Sequence, residues 1–201
     1  MKLTKYAVAA ILAAGMTLSA HALTITLPGI SGFQRTASLT DASVGYYGTG
    51  NGRVQEVEGY LGGDWTERGS VAPANNSGLG TFSDGLLTVM VTSGTFGNSP
   101  VAGTWTINSA SFWTTYADAA ISMHAGNGGG NPDHFVWLIT DGMLSGTWSY
   151  AVLSGTGGGL SNLKLYSRGT GTSVPDGSST IALLGSALVG VGALRHKLFK
   201  A

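Results

Sequence analysis

The chain has 201 residues, 33 of them glycine, no cysteine, and ten basic side chains against ten acidic ones. The missing cysteines exclude a disulfide scaffold, a thiolate zinc site, an iron–sulfur cluster and a cysteine nucleophile. Zero net charge argues against a nucleic-acid partner, which needs a basic face to displace counterions from phosphate. A hydrophobic fraction of 43% is too high for a disordered polymer.

Residues 1–22 read as a secretory signal peptide. Lys2 and Lys5 make a positive start, Tyr6 to Leu18 an apolar run, and Ala20-His21-Ala22 puts small residues at both positions that signal peptidase inspects. Cleavage is expected after Ala22. The apolar run is short for a bilayer span, which needs about 20 residues.

Residues 23–173 would remain as the exported body. They hold five basic and nine acidic side chains, a net charge of −4, in a background of Gly, Thr and Ser. No useful helical period is found in them, whereas strand-like runs recur. Residues 23–63 are expected to give two or three edge strands. Leu86 to Thr92, Val101 to Ile107, Ala119 to Ala125, His134 to Thr140, Gly146 to Val152 and Leu160 to Ser167 each read as a strand. The run from His134 is apolar on both faces, as a central strand would be. Gly126 to Asp133 reads as a glycine-rich hairpin loop. Ala102-Gly103-Thr104-Trp105-Thr106-Ile107 and Ser145-Gly146-Thr147-Trp148-Ser149-Tyr150 echo each other, each reading as a glycine turn that feeds a strand with an inward Trp. Many short strands with such turns predict an all-β fold, a single jelly-roll-like β-sandwich.

The chemistry-bearing residues of the body are sparse. His124 and His134 flank the 126–133 loop with Asp133 beside the second, a set that could bind a metal if the strands pair. Asp133, Asn127 and Asn131 offer oxygens to calcium, at a spacing that fits no EF-hand. Gly48-Thr49-Gly50-Asn51-Gly52 has the glycine content of a phosphate loop but no following lysine. No nucleophile-elbow pentapeptide occurs. Glu56, Glu58, Asp64 and Glu67 cluster in sequence, and Glu56 and Glu58 would share one face of a strand, the raw material of a glycosidase pair. No catalytic residue, metal or cofactor is expected from this inventory. Trp105, Trp137 and Trp148 lie in apolar strands and belong to the core. Trp65 and Trp113 lie in more polar surroundings and are the candidates for exposed, glycan-facing rings.

The last 28 residues change character. Val174-Pro175-Asp176-Gly177 makes a rigid turn, Ile181 to Leu194 is uncharged and apolar or small on every side, and Arg195, His196 and Lys197 follow. As a helix the apolar stretch reaches about 21 Å, and snorkelling of the flanking cations extends it toward a transmembrane helix. The positive-inside rule keeps the basic cluster cytoplasmic, as stop-transfer charges.

This order of motif, apolar helix and basic end resembles a PEP-CTERM protein-sorting tail, in a variant closer to the Val-Pro-Asp-Ser-Gly form. The resemblance implies export, a transient inner-membrane anchor, and processing by the protease exosortase near Val174–Gly177. It also implies release to the cell surface or the extracellular, exopolysaccharide matrix of a bacterial biofilm. Three readings stay open for the body: a non-catalytic surface or matrix protein, a glycan-binding module delivered by the same route, and a secreted enzyme with an unrecognised site.

Overall fold

The computed structural model describes residues 21–27, 34–72, 78–126, 132–155 and 158–171. The expected signal peptide (residues 1–20 of it), the sorting motif Val174–Gly177, the apolar segment 181–194 and the charges Arg195–Lys197 lie outside the described residues, apart from His21 and Ala22. Among the described residues no helix is long and apolar enough to cross a membrane.

Eleven strands and two short helices are described. In chain order they are β1 (Ala22–Thr26), β2 (Gln34–Thr40), β3 (Ala42–Gly48), α1 (Val54–Leu61), β4 (Thr66–Val71), β5 (Gly80–Asp84), β6 (Leu87–Gly94), β7 (Val101–Ile107), α2 (Phe112–Thr115), β8 (Asp118–Ala125), β9 (His134–Ile139), β10 (Ser145–Ser154) and β11 (Leu160–Arg168). The strands form two sheets, one of order β1-β2-β10-β7-β6-β5 and one of order β3-β9-β8-β11-β4. Every pairing is antiparallel. The all-β class expected from the sequence is what the structure shows.

One cluster of buried side chains draws on both sheets: Leu39, Val89, Trp105 and Trp148 from the first, Ile121, Met123, Phe135, Trp137, Leu163 and Leu165 from the second. Along β2 burial alternates, with Arg35, Ala37 and Leu39 buried, because successive side chains of a strand point to opposite faces. In β8 and β9 almost every residue is buried. The physical reason is that their other face is also covered. Val57 of α1 packs there with Trp65, Ala120, Val136 and Tyr166 in a second apolar cluster.

The segment before residue 63 departs from expectation in two ways. β1 and β3 are edge strands, but β2 is interior, between β1 and β10. Residues 54–61 are a helix. Its signal is brief but present: Val54, Val57 and Leu61 recur at helical spacing, Glu56 at the third helical position reaches back to the Arg53 N–H at 2.7 Å, and Gly62 ends the helix at φ 67°. Eight residues are too few for that pattern to stand out against strand alternation. β4 and β5 carry no apolar run and were not legible either.

The two Gly-Thr-Trp echoes turn out to be neighbours. β7 and β10 pair antiparallel with Gly146 opposite Trp105 and Trp148 opposite Gly103. The glycines lie inside strands, not in turns, and each makes room for the other copy's indole. A Cβ at Gly146 would stand 2.7 Å from Trp105 Nε1, and one at Gly103 would stand 2.8 Å from the Trp148 ring.

Candidate functional site

The densest polar cluster lies on the covered side of the second sheet, where the 49–53 loop and α1 fold over β8, β9 and β11. His124 and His134 face each other across the β8–β9 pair. Beside them stand Ser122 on β8, Asn162 on β11 and Asp133 just before β9. Gly52, at φ 69°, lies directly above: a Cβ there would be 3.2 Å from Ser122 Oγ, 3.4 Å from His134 Nε2 and 3.6 Å from Asn162 Oδ1. Only glycine combines that left-handed backbone with so close an approach.

The loop is held by acids of the protein itself. Glu56 accepts hydrogen bonds from the N–H groups of Asn51 at 3.2 Å and Arg53 at 2.7 Å. Asp133 Oδ1 accepts from Gly50 N–H at 3.1 Å, the Asp133 N–H donates to Gly48 O at 3.0 Å, and the Tyr166 hydroxyl donates to Gly52 O. Burial tends to raise the Glu56 pKa, but the backbone donors of Arg53 and Asn51, with His134 and Gly52, outweigh it and hold the carboxyl below its usual value. The loop that shares the glycine content of a phosphate cradle therefore has an internal anion at its amides.

That geometry decides the fate of the candidate carboxylates. Glu56 and Glu58 do not share a strand face; both lie on α1. Glu58 accepts the Trp65 N–H at 3.2 Å, Asp64 is exposed, and Glu67 pairs with Lys164 at 2.9 Å. Each of these four acids is engaged or isolated.

His124, His134 and Asp133 are brought together as the sequence allowed. Among the described residues no group of three His, Asp or Glu side chains is placed to hold a metal ion. Asp133 spends one oxygen on Gly50 and holds the other 3.7 Å from His124 Nε2, while His134 points its Nε2 under Gly52. Asn127 and Asn131 lie outside the described residues. His134 is fully buried, and neither ring nitrogen has a hydrogen-bond partner among the described residues. Burial lowers its pKa to about 4, against a smaller opposing pull from Glu56, so it is neutral at pH 7. Burial also lowers the His124 pKa, with the Asp133 and Glu56 charges pulling the other way. Ser122 is fully buried beneath the loop.

Of the two glycan-facing candidates, Trp65 is corrected by its surroundings. Trp65 is only 4% exposed. Its indole N–H donates to Gly62 O at 2.8 Å, and the Arg168 guanidinium lies over the ring at 4.6 Å. Arg168 also bonds Asp118 at 2.7 Å and donates to the carbonyls of Leu61 and Gly62 at 3.2 and 2.5 Å, satisfying the end of α1. Trp113 is half-buried, donates to Met143 O at 2.9 Å and packs edge-on against Phe112. Trp65 presents no open ring face, whereas Trp113 remains partly exposed. Among the described residues the exposed aromatics are Tyr46 at 39% and Tyr47 at 45%, which the sequence reading did not single out. Tyr46 stacks on Tyr60 at 6.3 Å.

Glu56→Ala should release the 49–53 loop from two backbone donors. The expected cost is about 1–2 kcal/mol, read as a lowered denaturation midpoint and as faster amide exchange at Asn51 and Arg53. Unchanged exchange at those two amides would mean that the carboxylate does not hold the loop.

The geometry thus defines an all-β body in which Glu56, Asp133 and Tyr166 anchor the 49–53 loop over a buried polar cluster, where Ser122 Oγ, both His134 nitrogens and Asn162 Oδ1 have no hydrogen-bond partner among the described residues. The tail is more specific: residues 173–198 match the VPDSG-CTERM motif. It is a sorting tail of the PEP-CTERM kind, which implies an exported, cell-surface-sorted protein and, in general, processing by an exosortase. Neither a curated protein nor a solved structure shows significant similarity to the chain.

Proposed function

We propose that this chain is a non-catalytic exported protein whose body is a jelly-roll-like β-sandwich. It is led out by the 1–22 signal peptide, held for a time in the inner membrane by 181–194, and cut by exosortase near Val174–Gly177. The mature product goes to the cell surface or extracellular matrix. The observation that carries this reading is the sorting motif at residues 173–198. A supporting one is that the expected leader ends at Ala22, the first residue of β1, so that cleavage there leaves the rest of the body intact. A core cluster shared by the two sheets supports the face-to-face packing. The non-catalytic reading is supported by the disposition of the acids: Glu56 and Asp133 hold the 49–53 loop, Glu58 takes the Trp65 amide and Glu67 pairs with Lys164.

The test is intact mass of the extracellular form. The expected chain begins at Leu23 and ends near Val174–Gly177. A secreted species that retains Ala201 would overturn the processing. Neutralising Arg195, His196 and Lys197 together should reduce membrane retention of the precursor, read by fractionation.

A further inference from the structure

The outward face of the six-stranded sheet is uncharged and rich in hydroxyls. Its six strands contain two charged residues. Arg35 is buried, and Asp84 closes β5 and accepts the Ser70 N–H at 2.9 Å. No charge stands at an outward position. What stands there is mostly Thr and Ser, spaced two apart along each strand: Thr24 and Thr26 on β1, Thr36, Ser38 and Thr40 on β2, Thr147 and Ser149 on β10, Thr104 and Thr106 on β7.

Register lines these hydroxyls into lateral rows. Thr147 pairs with Thr104, which pairs with Met90, which pairs with Thr81. One step along, Ser145, Thr106, Thr88 and Ser83 form a second row. With strands about 4.8 Å apart, six of them make a hydroxyl-studded surface roughly 24 Å across. Neighbouring hydroxyls bond one another, as Thr26 to Thr36 at 3.2 Å and Ser83 to Thr88 at 2.5 Å. Threonine is stiff about χ1, so the array is ordered in advance and loses little freedom on binding.

We propose that this face binds an uncharged polysaccharide laid flat across the strands. Hydroxyls give and accept hydrogen bonds, as do the hydroxyls of a neutral sugar polymer, and threonine methyls with Met90 and Ala102 meet its C–H faces. An acidic polymer or nucleic acid would need cations that the face lacks. A second copy of the chain would need buried apolar anchors, and only Met90 and Leu153 are large and apolar here. Each hydrogen bond adds about 1 kcal/mol at most against water, so the face favours a polymer engaging many rows over a single sugar. This names a ligand class for the exported body and rests on the export reading only for where the polymer is met.

The test is co-sedimentation of the full chain with an insoluble neutral glucan and with alginate beads, at low and high salt. Retention on the neutral glucan, unaffected by salt, is expected. Thr104→Glu and Thr147→Glu should each cut retention tenfold or more, while Thr66→Glu on the other sheet leaves it unchanged; all three should melt near the wild-type temperature. No retention on any neutral polymer would overturn the proposal. So would retention surviving both central charges, binding to alginate alone that salt abolishes, affinity for ice without affinity for glucan, or a dimer that the two variants dissolve. Intact mass tests export separately, so failure of one is distinguishable from failure of the other.

Discussion

Trp105→Ala should cost about 3–5 kcal/mol, the range for emptying a buried indole site. Gly146→Ala should cost about 1–3 kcal/mol by overpacking, because its new methyl meets Trp105 Nε1 at 2.7 Å and Thr40 Oγ1 at 2.6 Å. The informative quantity is the double variant. If the glycine exists to admit the indole, removing the indole relieves the methyl, and the two losses fall short of additive by about 1 kcal/mol or more. Urea midpoints of the four proteins measure it. Strict additivity would show that Gly146 is required by the approach of Thr40 and not by the indole. The same logic links Gly103 to Trp148, but there a methyl would also strike the Met90 carbonyl oxygen, which no side-chain deletion relieves.

The second large effect is acid sensitivity. His134 titrates near 4 in the folded body and near 6.5 when unfolded, so the unfolded chain binds the extra proton between those values. The stability contributed by the neutral ring is fully present above about pH 6.5 and is lost as the pH falls toward 4. The loss from this one group is about 3 kcal/mol. The groups facing the ring are Glu56 from α1, His124 from β8, Asp133 and Lys164. His124 and Glu56, both lowered in the fold, add to the loss in the same direction. His134→Asn should flatten the fall by close to one proton across that window. A variant that falls as steeply as the wild type would assign the acid loss to His124 and Glu56 instead.

Much of this body was legible from pattern alone. The strands from Leu87, Val101, Asp118, His134, Ser145 and Leu160 carry apolar residues at period two or in short full runs, and the structure has each within a residue or two of its expected bounds. Burial of Trp105, Trp137 and Trp148 was legible for the same reason. α1 was not, because eight residues give the helical period little room. Nor was the fate of Glu56, since the amides that hold it belong to a loop whose path depends on Asp133 and Tyr166, respectively more than 80 and 110 residues away along the chain.

The sequence by itself determined the sorting address and the all-β class. Both are written in contiguous residues: a turn, an apolar run and a basic end for the one, local alternation for the other. Only the tertiary structure decided what each polar and aromatic side chain does. Trp65 is covered because Arg168, 103 positions away, lies over its ring. The hydroxyl rows exist because strands from distant parts of the chain fall into register. Burial and register are properties of pairs of segments, and no local pattern specifies which segments will pair.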